Sequence, residues 1–347
     1  MERKLDVIIP TYKPDKEFLQ LIEKLQKQEY PVNRIIIMNT EQKYFERLVY
    51  GTDFYEKNPN VLVYHVSKKE FDHGFTRHIG VQKSTAPFFL MMTQDAMPVN
   101  GQLTKELMEG VLQENIAVAY ARQLPRNDCT EAEKFTRNFN YPNTSRIKTK
   151  ADLSELGIKT FFCSNVCALY NREVYDSLGG FIHNTIFNED MIYAAGAVKA
   201  DWGIAYCAKA QVIHSHNYSG REQFHRNFDL GVSQADYPEI FAEVPSESEG
   251  IKMVRMSVEH LKEKGLKRKI PSLIYVSGCK YIGYLLGKNY QKLPRAIVDK
   301  CTMNPGYWRH FERKMDVCKI DANKGYGKSS EEMQIRMEKI RNNKSDM

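Results

Sequence analysis

Short apolar runs alternate with segments of helical periodicity over the first hundred residues. Apolar residues spaced three and four apart predict three helices, at Glu17–Gln28, Tyr44–Tyr50 and Arg77–Ser84. Four nearly continuous apolar runs are typical of strands buried on both faces of a parallel sheet: Leu5–Pro10, Arg34–Asn39, Asn60–His65 and Pro87–Thr93. This alternation predicts an α/β fold with a doubly wound, mostly parallel sheet and helices on both of its faces.

The pattern becomes mixed after residue 100. It predicts helices at Leu103–Gln113 and Asp190–Lys199 and strands at Ile116–Ala121, Phe161–Tyr170 and Ile204–Ile213. The polar stretch Arg126–Lys150 lacks a clear period and is expected to be a mobile loop. From Arg221 onward the pattern is almost entirely helical, and the last twenty residues are polar enough to fray.

The charge of the chain is unevenly distributed. The 347 residues are 42% hydrophobic and 27% charged, which excludes a disordered chain. The net charge is +7, but residues 251–347 carry 22 Lys/Arg and 10 Asp/Glu, a charge of +12, so the first 250 residues carry −5. A basic segment suits nucleic acid or an anionic membrane surface. Because the chain has no nucleic-acid motif and an acidic first part, we expect no nucleic acid partner.

The basic cluster lies beside an apolar and aromatic stripe, Leu273–Leu286. The cluster contains Lys262, Lys264, Lys267, Arg268 and Lys269. Basic residues beside such a stripe favour binding to an anionic bilayer surface, although a solvated helix face is the alternative. The stretch Ile270–Leu286 is too short and too polar to predict a membrane span.

Cysteine usage and the amino-terminal sequence indicate the compartment. Seven scattered cysteines form no paired motif, which favours a reducing cytoplasm. The first residues lack the apolar core of a signal peptide. We therefore expect a cytoplasmic protein that is peripheral at the inner face of the cell membrane.

Polar residues follow each predicted strand of the first hundred residues. They are Pro10-Thr11-Tyr12, Asn39-Thr40-Glu41, Lys69–Gly74 and Thr93-Gln94-Asp95. Ligands of open α/β sheets gather at the carboxyl ends of the strands. These segments therefore predict a binding site along one edge of the sheet.

Three stretches that overlap these segments together resemble the family 2 glycosyltransferases of GT-A fold, and most closely the bacterial rhamnosyltransferases. They are Val7–Tyr12, FDHGFTR at Phe71–Arg77 and MMTQDAMP at Met91–Pro98. The resemblance covers roughly Leu5 to His225. It implies that residues 1–100 and 101–230 form the nucleotide-sugar-binding and acceptor-binding halves of a Rossmann-like GT-A domain, and that residues 231–347 are a helical, basic extension.

The activity implied by the resemblance is a metal-dependent, inverting transfer. The predicted donor is dTDP-β-L-rhamnose, and the predicted acceptor is a hydroxyl of a cell-surface glycan or lipid-linked saccharide. Two alternatives stay open: another donor, such as a UDP-hexose, and a non-catalytic relative that binds nucleotide sugars or glycans.

The predicted cofactor is Mg²⁺ or Mn²⁺, because a diphosphate leaving group needs a hard divalent cation. The family usually shows Asp-x-Asp where this chain has Thr93-Gln94-Asp95, so the resemblance assigns only Asp95 as a ligand. His214 and His216 follow a predicted strand two residues apart and point to one side. They resemble the metal-proximal histidine of the family, with His216 preferred. The alternative is that both histidines are structural.

Donor-binding residues are also implied by the resemblance. Pro10, Thr11 and Tyr12 are expected around the base and ribose, and Glu41 at the pyrimidine N3–H. Asp72 is a second acceptor, and Gln94 joins the donor set beside Asp95. Arg77 is expected near the diphosphate. Alternatively, Arg77 pairs with Asp72 or Asp95.

The general base is predicted in the acidic segment Phe187–Met191. An inverting transfer needs one carboxylate to take the proton of the acceptor hydroxyl. Asp190 matches the second acid of the family motif and is the predicted base, while Glu189 is expected to position the acceptor. The alternative is a pair of acids that only stabilises a helix amino terminus. Cys163 and Cys167 are expected to be buried structural residues rather than nucleophiles.

Overall fold

The computed structural model describes residues 3–242 and 247–309. Residues up to Asn304 belong to one compact unit, and Pro305–Arg309 belong to a second unit. The predicted fraying of the last twenty residues lies outside the described residues. The predicted domain boundary at residue 230 falls inside the helix Gly220–Asp236, and the division into domains stays a prediction.

Within the described residues, nine strands form one mixed sheet. They are β1 Leu5–Tyr12, β2 Arg34–Thr40, β3 Val61–Val66, β4 Phe88–Met92, β5 Met97–Pro98, β6 Ile116–Leu124, β7 Arg146–Lys148, β8 Cys167–Asn171 and β9 Gly203–Ile213. The order is β3-β2-β1-β4-β8-β6-β9-β5, and β7 also pairs with β9. The first four neighbours run parallel, whereas β8 runs antiparallel to both β4 and β6. The parallel pairing predicted for the four strands of the first hundred residues is confirmed, and the sheet as a whole is mixed.

The helices flank and extend this sheet. They are α1 Lys16–Gln26, α2 Gln42–Val49, α3 Phe54–Lys57, α4 His73–Lys83, α5 Leu103–Val111, α6 Glu131–Asn140, α7 Leu153–Leu156, α8 Arg172–Ser177, α9 Glu189–Lys199, α10 Gly220–Asp236, α11 Pro238–Phe241, α12 Glu247–Glu263, α13 Ile270–Lys288 and α14 Arg295–Cys301. From α10 onward the described chain is helical, as predicted.

Both faces of the sheet are covered. On β4, Leu90 and Met92 join a core that also contains Phe18 of α1, whereas Phe89 and Met91 join a second core on the opposite face. Successive side chains of a strand point to opposite faces, so a strand buried on both sides reads as a continuous apolar run. This confirms the predicted arrangement of helices on both faces.

The segment Arg126–Lys150 is not the predicted loop. It contains α6 and β7, and all ten residues of α6 are half-buried or exposed. The hydroxyl of Thr130 caps α6 by accepting from the N–H of Glu133, and Glu133 pairs with Arg137 one turn later at 2.8 Å. Polar contacts and the packing of Phe135 against His260 of α12, with ring centroids 4.8 Å apart, stabilise this helix. Only three of its ten residues are apolar, so hydrophobic periodicity does not reveal it.

Two further boundaries differ from the prediction. The strand predicted at Phe161–Tyr170 begins only at Cys167, because a 3₁₀ helix ends at Phe161 and a turn closed by the Cys167 N–H and the Ser164 carbonyl precedes the strand. The helix predicted from Arg77 begins at His73, where Asp72 caps it.

The long helices α10 and α13 touch along their backbones. A Cβ atom on Gly283 would lie 2.2 Å from the carbonyl oxygen of Phe224, and one on Gly287 would lie 2.0 Å from that of Phe228. Only glycine permits this approach. Among the helices of the described residues, none combines the length and the apolar character that a bilayer crossing requires.

Candidate active site

Asp95, His214 and His216 form one cluster at the edge of the sheet. Asp95 follows β4, and the antiparallel pairing of β5 with β9 brings its turn beside the residues that follow β9. Its Oδ2 atom lies 3.4 Å from Nε2 of His214 and 3.3 Å from Nε2 of His216. One ligand atom from each residue lies within 4.8 Å of the others. The set of one carboxylate and two imidazoles fits a divalent cation, with both histidines in reach.

The protonation states of the cluster suit a cation site. Burial alone would raise the pKa of Asp95, but His214, the hydroxyl of Thr93 and His216 outweigh it and hold this pKa well below its usual range. Burial and the neighbouring His214 lower the pKa of His216 to about 4. At neutral pH the carboxyl is therefore ionised and the imidazole of His216 is neutral, which are the forms that bind metal.

The acidic pair lies at the start of α9. Asn188, with a left-handed φ of 65°, directs the chain into this helix. Glu189 is 6% exposed; it lies 3.2 Å from Nε of Arg77 and accepts a hydrogen bond from the Asn165 side chain. Oδ2 of Asp190 accepts from the backbone N–H of Asn165 at 2.8 Å. Asn165 thus contacts both carboxylates.

These contacts separate the pKa values of the two acids. Burial and the adjacent charge of Glu189 raise the pKa of Asp190 to about 7. Burial also opposes ionisation of Glu189, but Arg77, His73 and Asn165 prevail and lower its pKa. Glu189 is therefore the charged member of the pair, and Asp190 titrates near neutrality, as a general base requires.

Arg77 is engaged with Glu189. The sequence-based alternative, in which it pairs with Asp72 or Asp95, is wrong, because α4 directs the guanidinium toward the start of α9. The Asp72 carboxylate instead accepts from the N–H of Phe75 at 2.7 Å and from that of Asn184 at 3.3 Å. It caps α4 and ties this helix to the loop before α9.

The expected donor residues lie at the ends of β1 and β2. Pro10 is half-buried in β1, and the Thr11 hydroxyl donates to the Asn39 side chain at 3.1 Å. Tyr12 is 38% exposed and packs edge-on against Tyr44, with ring centroids 5.6 Å apart. These contacts leave Tyr12 as the accessible aromatic group of this edge.

Two polar side chains fix the loops around Tyr12. The Gln94 side chain accepts from the N–H of Tyr12 at 2.8 Å and donates to its carbonyl at 3.1 Å. Glu41 accepts from the N–H of Lys68 at 2.7 Å. Both residues hold backbone in place, and their predicted contacts with a donor stay predictions.

Arg226 is a site residue that the sequence analysis missed. Its guanidinium lies 4.6 Å from the ring centroid of Phe187 and 5.8 Å from that of Tyr218. Tyr218 in turn stacks on His216 at 4.9 Å. Arg226 therefore places a positive charge between the histidine cluster and the acidic segment. The sequence signal that could have identified Arg226 is its position, about two turns into the helix that follows His214-Ser215-His216.

The cysteines are structural, as expected. Cys163 and Cys167 are 3% and 1% exposed, and burial raises the pKa of the Cys163 thiol to about 12. The thiolate, which is the nucleophilic form, is suppressed at neutral pH.

The sheet, the histidine cluster and the acidic segment define a glycosyltransferase of the GT-A type. Residues 6–179 match glycosyl transferase family 2, and the chain belongs to this family. It is 35% identical over 311 residues to the O-antigen chain rhamnosyltransferase RfbN of Salmonella typhimurium (strain LT2), covering 89% of this chain and 97% of RfbN. It is also 35% identical over 309 residues to the O-antigen chain rhamnosyltransferase WbaN of Salmonella anatum, covering 88% and 96% of the two chains.

A solved structure supports the fold. The mannosyltransferase PcManGT from Pyrobaculum calidifontis, in complex with GDP-Man and Mn²⁺, superimposes with a TM-score of 0.51 at 12% identity. The match covers 88% of this chain and 84% of that one. At this identity the likeness shows the fold alone.

Proposed function

We propose that this glycosyltransferase moves L-rhamnose from dTDP-β-L-rhamnose, with inversion, to a hydroxyl of a cell-surface glycan or lipid-linked saccharide. The observation that carries the reaction class is a carboxyl of raised pKa, Asp190, in the same site as a cluster of divalent-cation ligands. The names of the two 35% identical relatives support the donor sugar and the glycan acceptor.

Asp95, His214 and His216 would hold Mg²⁺ or Mn²⁺, since they offer one ionised carboxylate and two imidazoles. When bound, the cation neutralises the charge that develops on the leaving diphosphate. Arg226 supplies a further positive charge next to His216, and we assign it to the same diphosphate.

The proton of the acceptor passes to Asp190. As the acceptor oxygen attacks the anomeric carbon, its O–H bond breaks and the proton goes to the carboxylate. The bond from the anomeric carbon to the diphosphate oxygen breaks on the opposite face, and dTDP leaves. The charge of Glu189 makes Asp190 a stronger base, while Asn165 holds its Oδ2 atom. The contact expected between Glu189 and the acceptor remains part of this proposal.

A panel of nucleotide sugars tests the donor. We expect dTDP-β-L-rhamnose with Mn²⁺ to raise the melting temperature more than UDP-hexoses do, because a ligand at 100 times its Kd stabilises by about 2.7 kcal/mol. Release of dTDP should depend on the cation. A larger shift with a UDP-hexose would overturn the donor assignment, and binding without any turnover would identify a non-catalytic relative.

We also propose that α13 rests on an anionic membrane at the cytoplasmic face. One side of α13 packs on α10 through Gly283 and Gly287, whereas the opposite side exposes a stripe of large apolar groups. The stripe consists of Ile274, Tyr281, Ile282 and Leu285, which are 37–54% exposed. Tyr275 is 65% exposed and flanks this stripe beside Gly220 of α10. Residues 251–309 hold 13 Lys/Arg and 3 Asp/Glu, so the surroundings of the stripe are cationic.

Vesicle binding tests this surface. Binding should rise with the fraction of anionic lipid and fall with salt, because each basic residue near the surface contributes about 1 kcal/mol. We expect a variant with four changes to glutamine, at Lys264, Lys267, Arg268 and Lys269, to lose its binding to vesicles. It should still transfer sugar to a soluble acceptor. Equal vesicle binding by this variant would refute the role of the cluster, and binding of oligonucleotides instead of vesicles would identify a different partner.

A further inference from the structure

Gln123 is a buried amide in contact with one of the candidate metal ligands. It lies in β6 and is 2% exposed. Its Oε1 atom is 3.0 Å from Nδ1 of His214 and also contacts the guanidinium of Arg137, while its Nε2 atom is 3.0 Å from the hydroxyl of Ser164. Neither Gln123 nor Arg137 has an assigned role in the proton transfer or the departure of the diphosphate described above.

The orientation of this amide follows from its partners. A guanidinium has donors only, so the Gln123 atom that faces Arg137 must be the oxygen. The same oxygen faces Nδ1 of His214, and an oxygen acceptor requires a hydrogen on that nitrogen. In the neutral imidazole, the lone pair is then on Nε2.

The Nε2 atom points at the cluster. It lies 3.4 Å from Oδ2 of Asp95, so a divalent cation that displaces any hydrogen on Nε2 would have both atoms as ligands. Two acceptors in this arrangement are complementary to a cation between them. Metal-bound histidines in proteins usually donate their other N–H to a neighbouring group, which fixes the tautomer and the ring orientation.

We propose that Gln123, itself oriented by Arg137, holds His214 in the Nδ1–H tautomer and so presents Nε2 to the divalent cation. Gln123 is a positioning residue, and this inference rests on the metal site of the proposed function. Arg137 is in turn held by Glu133 at 2.8 Å. Helix α6 therefore orients a ligand of the site without contacting the cation.

The tautomer is measured on the metal-free protein. The ¹⁵N resonances of the imidazoles distinguish a protonated Nδ1 from a protonated Nε2, and the His214 signals are assigned by their loss in His214→Asn. We expect a hydrogen on Nδ1 in the wild type, either alone or together with a second hydrogen on Nε2 that faces Asp95. Predominance of the Nε2–H form would overturn the proposal, whether or not the protein binds metal.

Metal affinity is measured by calorimetric titration with Mn²⁺. Gln123→Met removes the acceptor at similar volume and should weaken binding about 10- to 100-fold, the range typical of such supporting residues. Gln123→Glu keeps an oxygen facing both partners and should bind within about threefold of wild type. Unchanged affinity in Gln123→Met, or an equal loss in Gln123→Glu, would overturn the proposal.

Two further variants separate positioning from stability. Gln28→Met removes another buried amide, which bonds to the carbonyls of Lys24 and Asn100, and should leave Mn²⁺ affinity unchanged. Arg137→Met removes the guanidinium that faces the Gln123 oxygen and should let the Nε2–H tautomer of His214 appear. If the folded Arg137→Met protein shows no Nε2–H tautomer of His214, Arg137 does not orient Gln123. If the wild type shows the Nδ1–H form but binds no Mn²⁺, the metal assignment fails and the role of Gln123 in selecting the tautomer stands.

Discussion

Asp190→Asn tests the assignment of the base most directly. Asparagine keeps the shape of the side chain and an oxygen for the N–H of Asn165, but it takes up no proton. General base catalysis contributes about 10²- to 10⁴-fold, so turnover should fall by about 100-fold or more. Because the candidate metal ligands and the ends of β1 and β2 are unchanged, donor affinity should stay within about twofold.

The pH profile follows from the raised pKa. With the pKa of Asp190 at about 7, about one tenth of the enzyme is ionised at pH 6 and about one hundredth at pH 5. The rate should therefore fall about tenfold per pH unit below 7 and reach a plateau above pH 8. Glu189→Gln removes the adjacent negative charge that raises this pKa and should move the inflection to lower pH.

The assay is initial-rate release of dTDP at saturating donor and acceptor between pH 5 and 9. Asp176→Asn, in an exposed carboxylate of α8, serves as a matched control and should retain both rate and profile. Turnover of Asp190→Asn within a few-fold of wild type would remove Asp190 from the mechanism. A wild-type inflection near pH 4 would show that this carboxyl does not titrate as the buried pair requires.

Three other predictions concern the metal, the diphosphate and the helix contact. Asp95→Asn should lower Mn²⁺ affinity at least tenfold in calorimetric titration, because it removes the ionised ligand, and unchanged affinity would exclude Asp95 as a ligand. Arg226→Gln should raise the KM for the donor while leaving Mn²⁺ affinity without donor unaltered; an unchanged KM would refute its contact with the diphosphate. Gly287→Ala should lower the free energy of unfolding in urea by about 1–3 kcal/mol, because its Cβ meets the carbonyl of Phe228 at 2.0 Å. Gly278→Ala on the open side of α13 should not destabilise the protein, and equal effects would contradict the contact.

The elements that were predicted correctly from the sequence are those whose residues are buried in the core. β1, β2 and β4 consist of residues buried on both faces, so their apolar runs are unmistakable. The positions of Asp95 and Asp190 followed from strand and helix ends together with the family resemblance. Helix α6 was missed because only Ala132, Phe135 and Phe139 among its ten residues are apolar and none of the ten is fully buried, which leaves a weak apolar period.

Contacts between side chains that are far apart in the chain could not be predicted from the sequence. Arg77 meets Glu189 although 111 positions separate them, because the loop before α9 is tied to the start of α4 by Asp72. Nothing local to α4 distinguishes a guanidinium that faces Glu189 from one that faces Asp95. Arg226 was missed for the same reason, since its neighbours Phe187 and Tyr218 belong to different loops.

The pairing of Arg77 with Glu189 explains how two adjacent buried acids acquire different pKa values. If neither acid had a cation, burial and mutual repulsion would raise both pKa values, and the pair would share a proton. Arg77 keeps Glu189 ionised. The negative charge of Glu189 then disfavours ionisation of Asp190, so only the pKa of Asp190 is raised. Arg77→Met should therefore raise the pKa of Glu189 and make the two acids titrate as a coupled pair. Its pH profile should become broader than that of wild type, and a profile that keeps one sharp inflection near pH 7 would show that Glu189 does not depend on Arg77 for its charge.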